Sequence, residues 1–183
     1  MSNRFHFLGG QRGDWNVTRV IPVQGAGLVE VVRLDVVNGD SVGVPAATSW
    51  VLQGFTSNVR YATAAEVQLL KAKQPVLGRS EATRAALIPL KKSAQWWDLP
   101  QDERRKIFEE KSHHTAIGLD YLPAVARRLH HCRDLGQPFD FLTWFEFAPE
   151  DEPAFDELLR KLRATKEWAF IEREVDIRLE RRP

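Results

Sequence analysis

The feature that most constrains this chain is the run FDFLTWFEF at residues 139–147, where Phe139, Phe141, Thr143, Phe145 and Phe147 recur at every second position. Strict alternation is the period of a strand, and a face carrying four phenylalanines must be covered by another layer. The chain therefore needs a sheet with something packed on it. RAALIPL at 84–90 is a second short apolar run suited to a buried strand, and EVDIRL at 174–179 alternates again. Between these lie two helical segments. Pro100 followed by Gln101, Asp102 and Glu103 opens one that runs to about Gly118, with acids in its first turn. Residues 152–170 return to helical spacing through Phe155, Leu158, Leu159 and Leu162.

Residues 125–135 fit either a helix opened by Pro123 and closed by Gly136, or a strand. The pattern around them favours the strand, which gives strand, helix, strand, strand, helix, strand from Arg84 onward, the ferredoxin-like order. The first part of the chain predicts strands near 15–22, 27–37 and 49–56 and a helix over 63–74, a related unit lacking its first helix. The expectation is an α+β fold of two halves, 1–78 and 79–183, joined near Pro75 and Gly78 and packed as one body, because neither half alone buries both faces of its sheet.

With 183 residues, 43% of them hydrophobic, the chain buries a core without staples. Lysines and arginines number 26 against 25 acids and are interspersed with them, so no nucleic-acid footprint is present. Cys132 has no partner for a disulfide. A hydrolase built on it and His131 lacks any nucleophile turn. No run of eighteen apolar residues suggests a membrane span, and MSNRFHFLGG has no signal-peptide core. The expected compartment is cytoplasmic, or periplasmic if a leader has been removed.

His113-His114 and His130-His131 are adjacent pairs, and neighbours on a helix or strand diverge too far to chelate together. His114 lies seven residues after Ile107 and three before Ile117, on the inward stripe, whereas His113 falls toward Arg105 and Glu109. Taken alone, His114 is a satisfied core histidine or a partner of Glu110. On the strand reading, Val125, Arg127, Leu129 and His131 share one face. Arg127 can then enter an apolar pocket while Arg128 stays solvated.

KKSAQWWDLP, His114, Arg127 thirteen positions later, PFDFLTWFEF and TKEWAF together resemble the chlorite dismutase family, specifically its short members without an N-terminal extension. The resemblance covers roughly the C-terminal hundred residues. It implies a dimeric α+β barrel holding haem b, with His114 as proximal iron ligand and Glu167 as acceptor for its other ring nitrogen. It further implies Lys92 on a haem propionate, Trp96 and Trp97 along the macrocycle, and Thr143 and Phe145 as a distal wall. Arg127 stands over the iron. The implied substrate is chlorite: ferric haem takes one oxygen to give a high-valent oxo-haem and hypochlorite, which recombine to dioxygen and chloride while Arg127 holds the anion. A homodimer is implied by chain length. Two other readings remain, a coproheme decarboxylase-like enzyme and a non-enzymatic haem-binding protein. Arg127 speaks against both, since the decarboxylases lack arginine there and a carrier has no use for it.

Overall fold

In the computed structural model, which describes residues 3–56 and 61–181, eight antiparallel strands close into a barrel. They are β1 (Arg4–Gly10), β2 (Trp15–Gln24), β3 (Arg33–Asn38), β4 (Thr48–Thr56), β5 (Arg84–Lys92), β6 (Ala126–His131), β7 (Phe141–Phe147) and β8 (Ile171–Glu180), ordered β1-β3-β2-β8-β5-β7-β6-β4 around the ring. β4 returns to pair with β1 and meets β6 only at Phe55 opposite His131 and Thr56 opposite His130. Closure removes the sheet edges that would otherwise invite pairing with other chains.

Helices cover the outer face of the C-terminal strands. α1 (Ala64–Lys73) starts with a capping box in which Thr63 and Glu66 satisfy each other's backbone N–H. Then come α2 (Ala94–Asp98), α3 (Gln101–Arg105), a π-wound segment (Lys106–Lys111), α4 (His114–Asp120), α5 (Glu152–Arg163) and a 3-10 turn (Lys166–Phe170). Among the described residues no helix is long and apolar enough to cross a membrane.

β7 explains why the barrel needs both an inside and a cover. Leu142 and Trp144 point inward to Phe7, Trp15, Leu34 and Leu52, with the Trp15 and Trp144 rings edge to face at 5.3 Å. Phe141, Phe145 and Phe147 point outward to the apolar stripe of α5, and Phe147 stacks on Phe155 at 4.6 Å. Phe139 departs from the expected alternation: it precedes the strand and sits in the inner cluster.

Other expectations are corrected as well. β1 was not anticipated. The strand expected over 27–37 is only Arg33–Asn38; Gly25, at φ +68°, turns the chain away after β2, leaving residues 26–32 irregular. The single helix expected from 100 to 118 is broken, because His113 at φ 51° ends one winding direction before α4 begins. The helix expected over 152–170 stops at Arg163.

The strand expected over 125–135 forms over Ala126–His131 and gives way to a 3-10 turn at Arg133–Leu135, and Arg128 is half-buried rather than solvated. In a closed barrel the face opposite Arg127 is the interior, and Arg128 lies 3.6 Å over the Phe5 ring and donates its Nε–H to His130 Nε2 at 3.0 Å. His130 is fully buried and in turn donates Nδ1–H to the Leu142 carbonyl at 2.9 Å. Burial, reinforced by the Arg128 charge, pushes its pKa from 6.5 down to about 3. A histidine neutral in the fold but titratable when unfolded leaves stability intact above pH 6.5 and drains it as pH falls toward about 3. The slope is about 1.4 kcal/mol per pH unit. Urea midpoints at pH 7, 5.5 and 4.5 should show His130→Gln losing stability less steeply than the parent, by about one proton; parallel slopes would contradict this.

Candidate functional site

Between the outer faces of β5, β6 and β7 and the covering helices lies a cavity of about 880 Å³. Its walls are mostly apolar, from Ile88, Leu90, Leu129, Phe141, Phe145, Leu159 and Leu162, with a few polar groups converging on them. That volume and lining are those of a site for a sizeable organic ligand.

His114 enters from one wall. The left-handed turn at His113 restarts the chain as α4, whose first turn is capped by Glu109 accepting the Thr115 N–H at 2.9 Å. His114 Nδ1 meets Glu167 Oε2 at 2.7 Å. A carboxylate can only accept, so Nδ1 carries the proton and Nε2 keeps its lone pair, without a hydrogen-bond partner among the described residues. The ring is held between Phe108 at 4.8 Å and Trp168 at 6.4 Å.

Glu167 is itself fixed twice more, by Ser112 Oγ accepting its backbone N–H at 3.0 Å and by Lys92 Nζ donating to Oε1 at 2.5 Å. Burial alone would raise the Glu167 pKa. The His114 N–H and the Lys92 ammonium, both directed at the carboxylate, outweigh it and hold the carboxyl down at about 2. Lys92, nearly inaccessible, is likewise pushed below the ordinary lysine value by burial, against the opposing pull of Glu167.

The structure thus unites His114, Glu167 and Lys92 in one buried chain. Lys92 does not face outward as a propionate partner: its ammonium is spent on Glu167 and lies 4.1 Å over the Trp96 ring. Trp96 lines the cavity. Trp97 does not; it donates Nε1–H to Asp140 at 3.1 Å and stacks behind Phe141, with Arg133 over its face.

Another wall carries Arg127, Leu129, Thr143 and Phe145, as the alternation of β6 and β7 predicts. The Arg127 carbonyl accepts from Gln74 Nε2 at 2.6 Å, and among the described residues its guanidinium makes no ion pair or hydrogen bond. Burial lowers its pKa to about 10, which leaves it cationic at neutral pH. A buried cation with no counter-ion is costly, and it attracts any anion that reaches the cavity. Tyr61 also lines the cavity and bonds His131 Nδ1 at 2.7 Å, while His131 Nε2 meets Asp134 at 2.9 Å. Arg60, next to Tyr61 in the sequence, lies outside the described residues. Cys132 is buried, its thiol held far above the usual range by burial, so it is no nucleophile.

Phe108, Glu109, Ser112 and Trp168 were missed by sequence reasoning. Trp168 alone carried a signal, adjacent as it is to Glu167 in TKEWAF.

One imidazole with its second nitrogen anchored to carboxylate, facing a large apolar cavity, is a donor set that would suit a metal held inside an organic macrocycle. Comparison with known proteins agrees: the chlorite dismutase profile matches residues 42–182, and the chain belongs to the chlorite dismutase family. It is 53% identical to a dimeric chlorite dismutase from Nitrobacter winogradskyi, whose crystal structure superposes with a TM-score of 0.88 over 97% of this chain and 99% of that one. A chlorite dismutase from Candidatus Nitrospira defluvii, solved with imidazole, matches at 28% identity and a TM-score of 0.57, over 73% of this chain and 56% of that one. The chlorite dismutase of Ideonella dechloratans is 35% identical over 125 residues, 63% of this chain; the chain spans about 39% of that relative's length.

Proposed function

We propose that this chain is a haem b-dependent chlorite dismutase, an oxidoreductase that converts chlorite to chloride and dioxygen. The observation that carries the reading is the pairing, in one cavity, of a carboxylate-anchored imidazole and an arginine for which the described residues offer no counter-ion. Haem b fits these residues: His114 would ligate its iron, Trp96, Phe108 and Trp168 would flank the proximal side, and Thr143, Phe145 and Leu129 would wall the other. When bound, haem supplies the oxygen-atom transfer from chlorite. The protein does the rest. Glu167 fixes the His114 tautomer and makes the imidazole a stronger donor, and Lys92 keeps Glu167 ionised so that it stays an acceptor. Arg127 would draw the chlorite anion into an apolar space and hold it there by charge-assisted hydrogen bonds. The apolar walls keep water away from both.

The finer architecture belongs to the same proposal. The orders β4-β1-β3-β2 and β8-β5-β7-β6 run alike, which supports two ferredoxin-like halves, 1–78 and 79–183, the first without its crossover helices. The extent of the Nitrobacter match supports a homodimer.

The test is an oxygen electrode. Haem-loaded protein mixed with chlorite should release about one dioxygen per chlorite. Arg127→Ala should bind haem normally yet release oxygen at least about tenfold more slowly, the scale of losing one charge-assisted contact to the reacting anion. Oxygen release that needs no haem overturns the assignment. Undiminished release in Arg127→Ala removes the arginine from it.

A further inference from the structure

Gly118 sits in the middle of α4, buried, with a backbone conformation that any residue adopts. Glycine there costs about 1 kcal/mol against alanine, so the helix itself gives no reason for it. The reason is spatial. A Cβ built on Gly118 would lie 1.9 Å from Arg127 Nη1 and 2.6 Å from Cζ and Nη2, closer than any real contact. The guanidinium rests on bare helix backbone, in a seat that only a missing side chain provides. Gly118 is also four residues after His114, on the same face of α4 and about 6 Å along its axis. One helix therefore carries the imidazole and, one turn on, the surface against which the cation lies. The root of Arg127 is held separately by Gln74 at its carbonyl.

We propose that Gly118 is a positioning residue: its bare backbone seats the Arg127 guanidinium and sets, relative to His114, where an anion in the cavity meets positive charge. This rests on the reading of Arg127 given above. Among the described residues no counter-ion meets Arg127, and the seat locates the charge without neutralising it.

The test has one arm without cofactor and one with it. In cofactor-free protein, Gly118→Ala should raise Tm in an Arg127→Ala background, where the helix gains from alanine, and lower it in the parent, where the methyl group evicts the guanidinium. Arg127, mapped by mass spectrometry, should react with butanedione several-fold faster in Gly118→Ala. In the ferric haem-loaded protein, Gly118→Ala should weaken fluoride binding at least about tenfold and change it less than about twofold when Arg127 is already alanine. Equal Tm gains in both backgrounds, or fluoride affinity that ignores Gly118→Ala, overturns the proposal while leaving the haem site standing. Failure of the parent to take up haem overturns the reading of the site, and this proposal with it.

Discussion

Glu167→Gln is expected to destabilise the folded chain by about 3–5 kcal/mol, the range for removing one partner of a buried ion pair. The carboxylate serves two groups at once, His114 Nδ1 and Lys92 Nζ, while the backbone N–H of Glu167 donates to Ser112 Oγ. Glutamine keeps the volume but loses the charge, so Lys92, 4% exposed, is left as a buried ammonium without its carboxylate partner. A second substitution separates the two consequences. Lys92→Met in the Glu167→Gln background should restore much of the lost stability, because the orphaned charge is gone, yet leave haem affinity low, because the imidazole has still lost its anionic acceptor. That second loss should be about 10–100-fold. The pH dependence has a definite sign. The folded Glu167 pKa lies below its unfolded value, so its contribution is complete above the ordinary glutamate range and disappears as pH falls through about 2. Guanidinium unfolding of the three proteins at pH 7 and haem titration of each decide the matter; equal stability of parent and Glu167→Gln is the result that refutes it.

What the sequence revealed, and what it concealed, follows from the range of the interactions concerned. The alternation of β7 and the split of Arg127 from Arg128 were visible because side-chain direction in a strand depends on nothing but parity. The destination of Arg128 was not visible. Whether the far face of β6 meets solvent or barrel interior is decided by its pairing with β4, residues 55 and 56 against 130 and 131, and no local pattern announces a contact over that separation. The break at His113 was hidden for a different reason: KIFEEKSHHTAIG reads as continuous helix, and a single left-handed non-glycine residue leaves no mark in hydrophobic spacing. Within the candidate site, the inward direction of His114 was legible from its place on an apolar stripe, but its role and its link to Glu167, 53 residues away, came only by resemblance. The pairing of Lys92 with Glu167 was hidden at a similar distance. A lysine near a carboxylate-rich cofactor and a lysine buried against a glutamate look identical until the glutamate is placed.

His114→Ala is expected to remove haem binding and, with it, all oxygen release from chlorite above that of free haem. Loss of the acceptor Glu167 weakens the site by one or two orders of magnitude, and loss of the ligand itself must exceed that. The apolar walls remain and still attract a macrocycle, so residual adsorption is expected; the coordinate bond is not. Stability gives the cleanest readout. A ligand that binds only the folded state stabilises it by about 2.7 kcal/mol at one hundred times its Kd. Haem should therefore raise the Tm of the parent markedly, that of Arg127→Ala by a similar amount, and that of His114→Ala hardly at all. The cofactor-free His114→Ala protein should itself unfold near the parent, since the Lys92–Glu167 pair survives the change and only a partly exposed imidazole is lost. A haem-dependent rise in Tm that is equal in parent and His114→Ala would mean that the imidazole opening onto the cavity is not what holds the iron, and the roles assigned to Glu167, Lys92 and Arg127 would lose their common reference point.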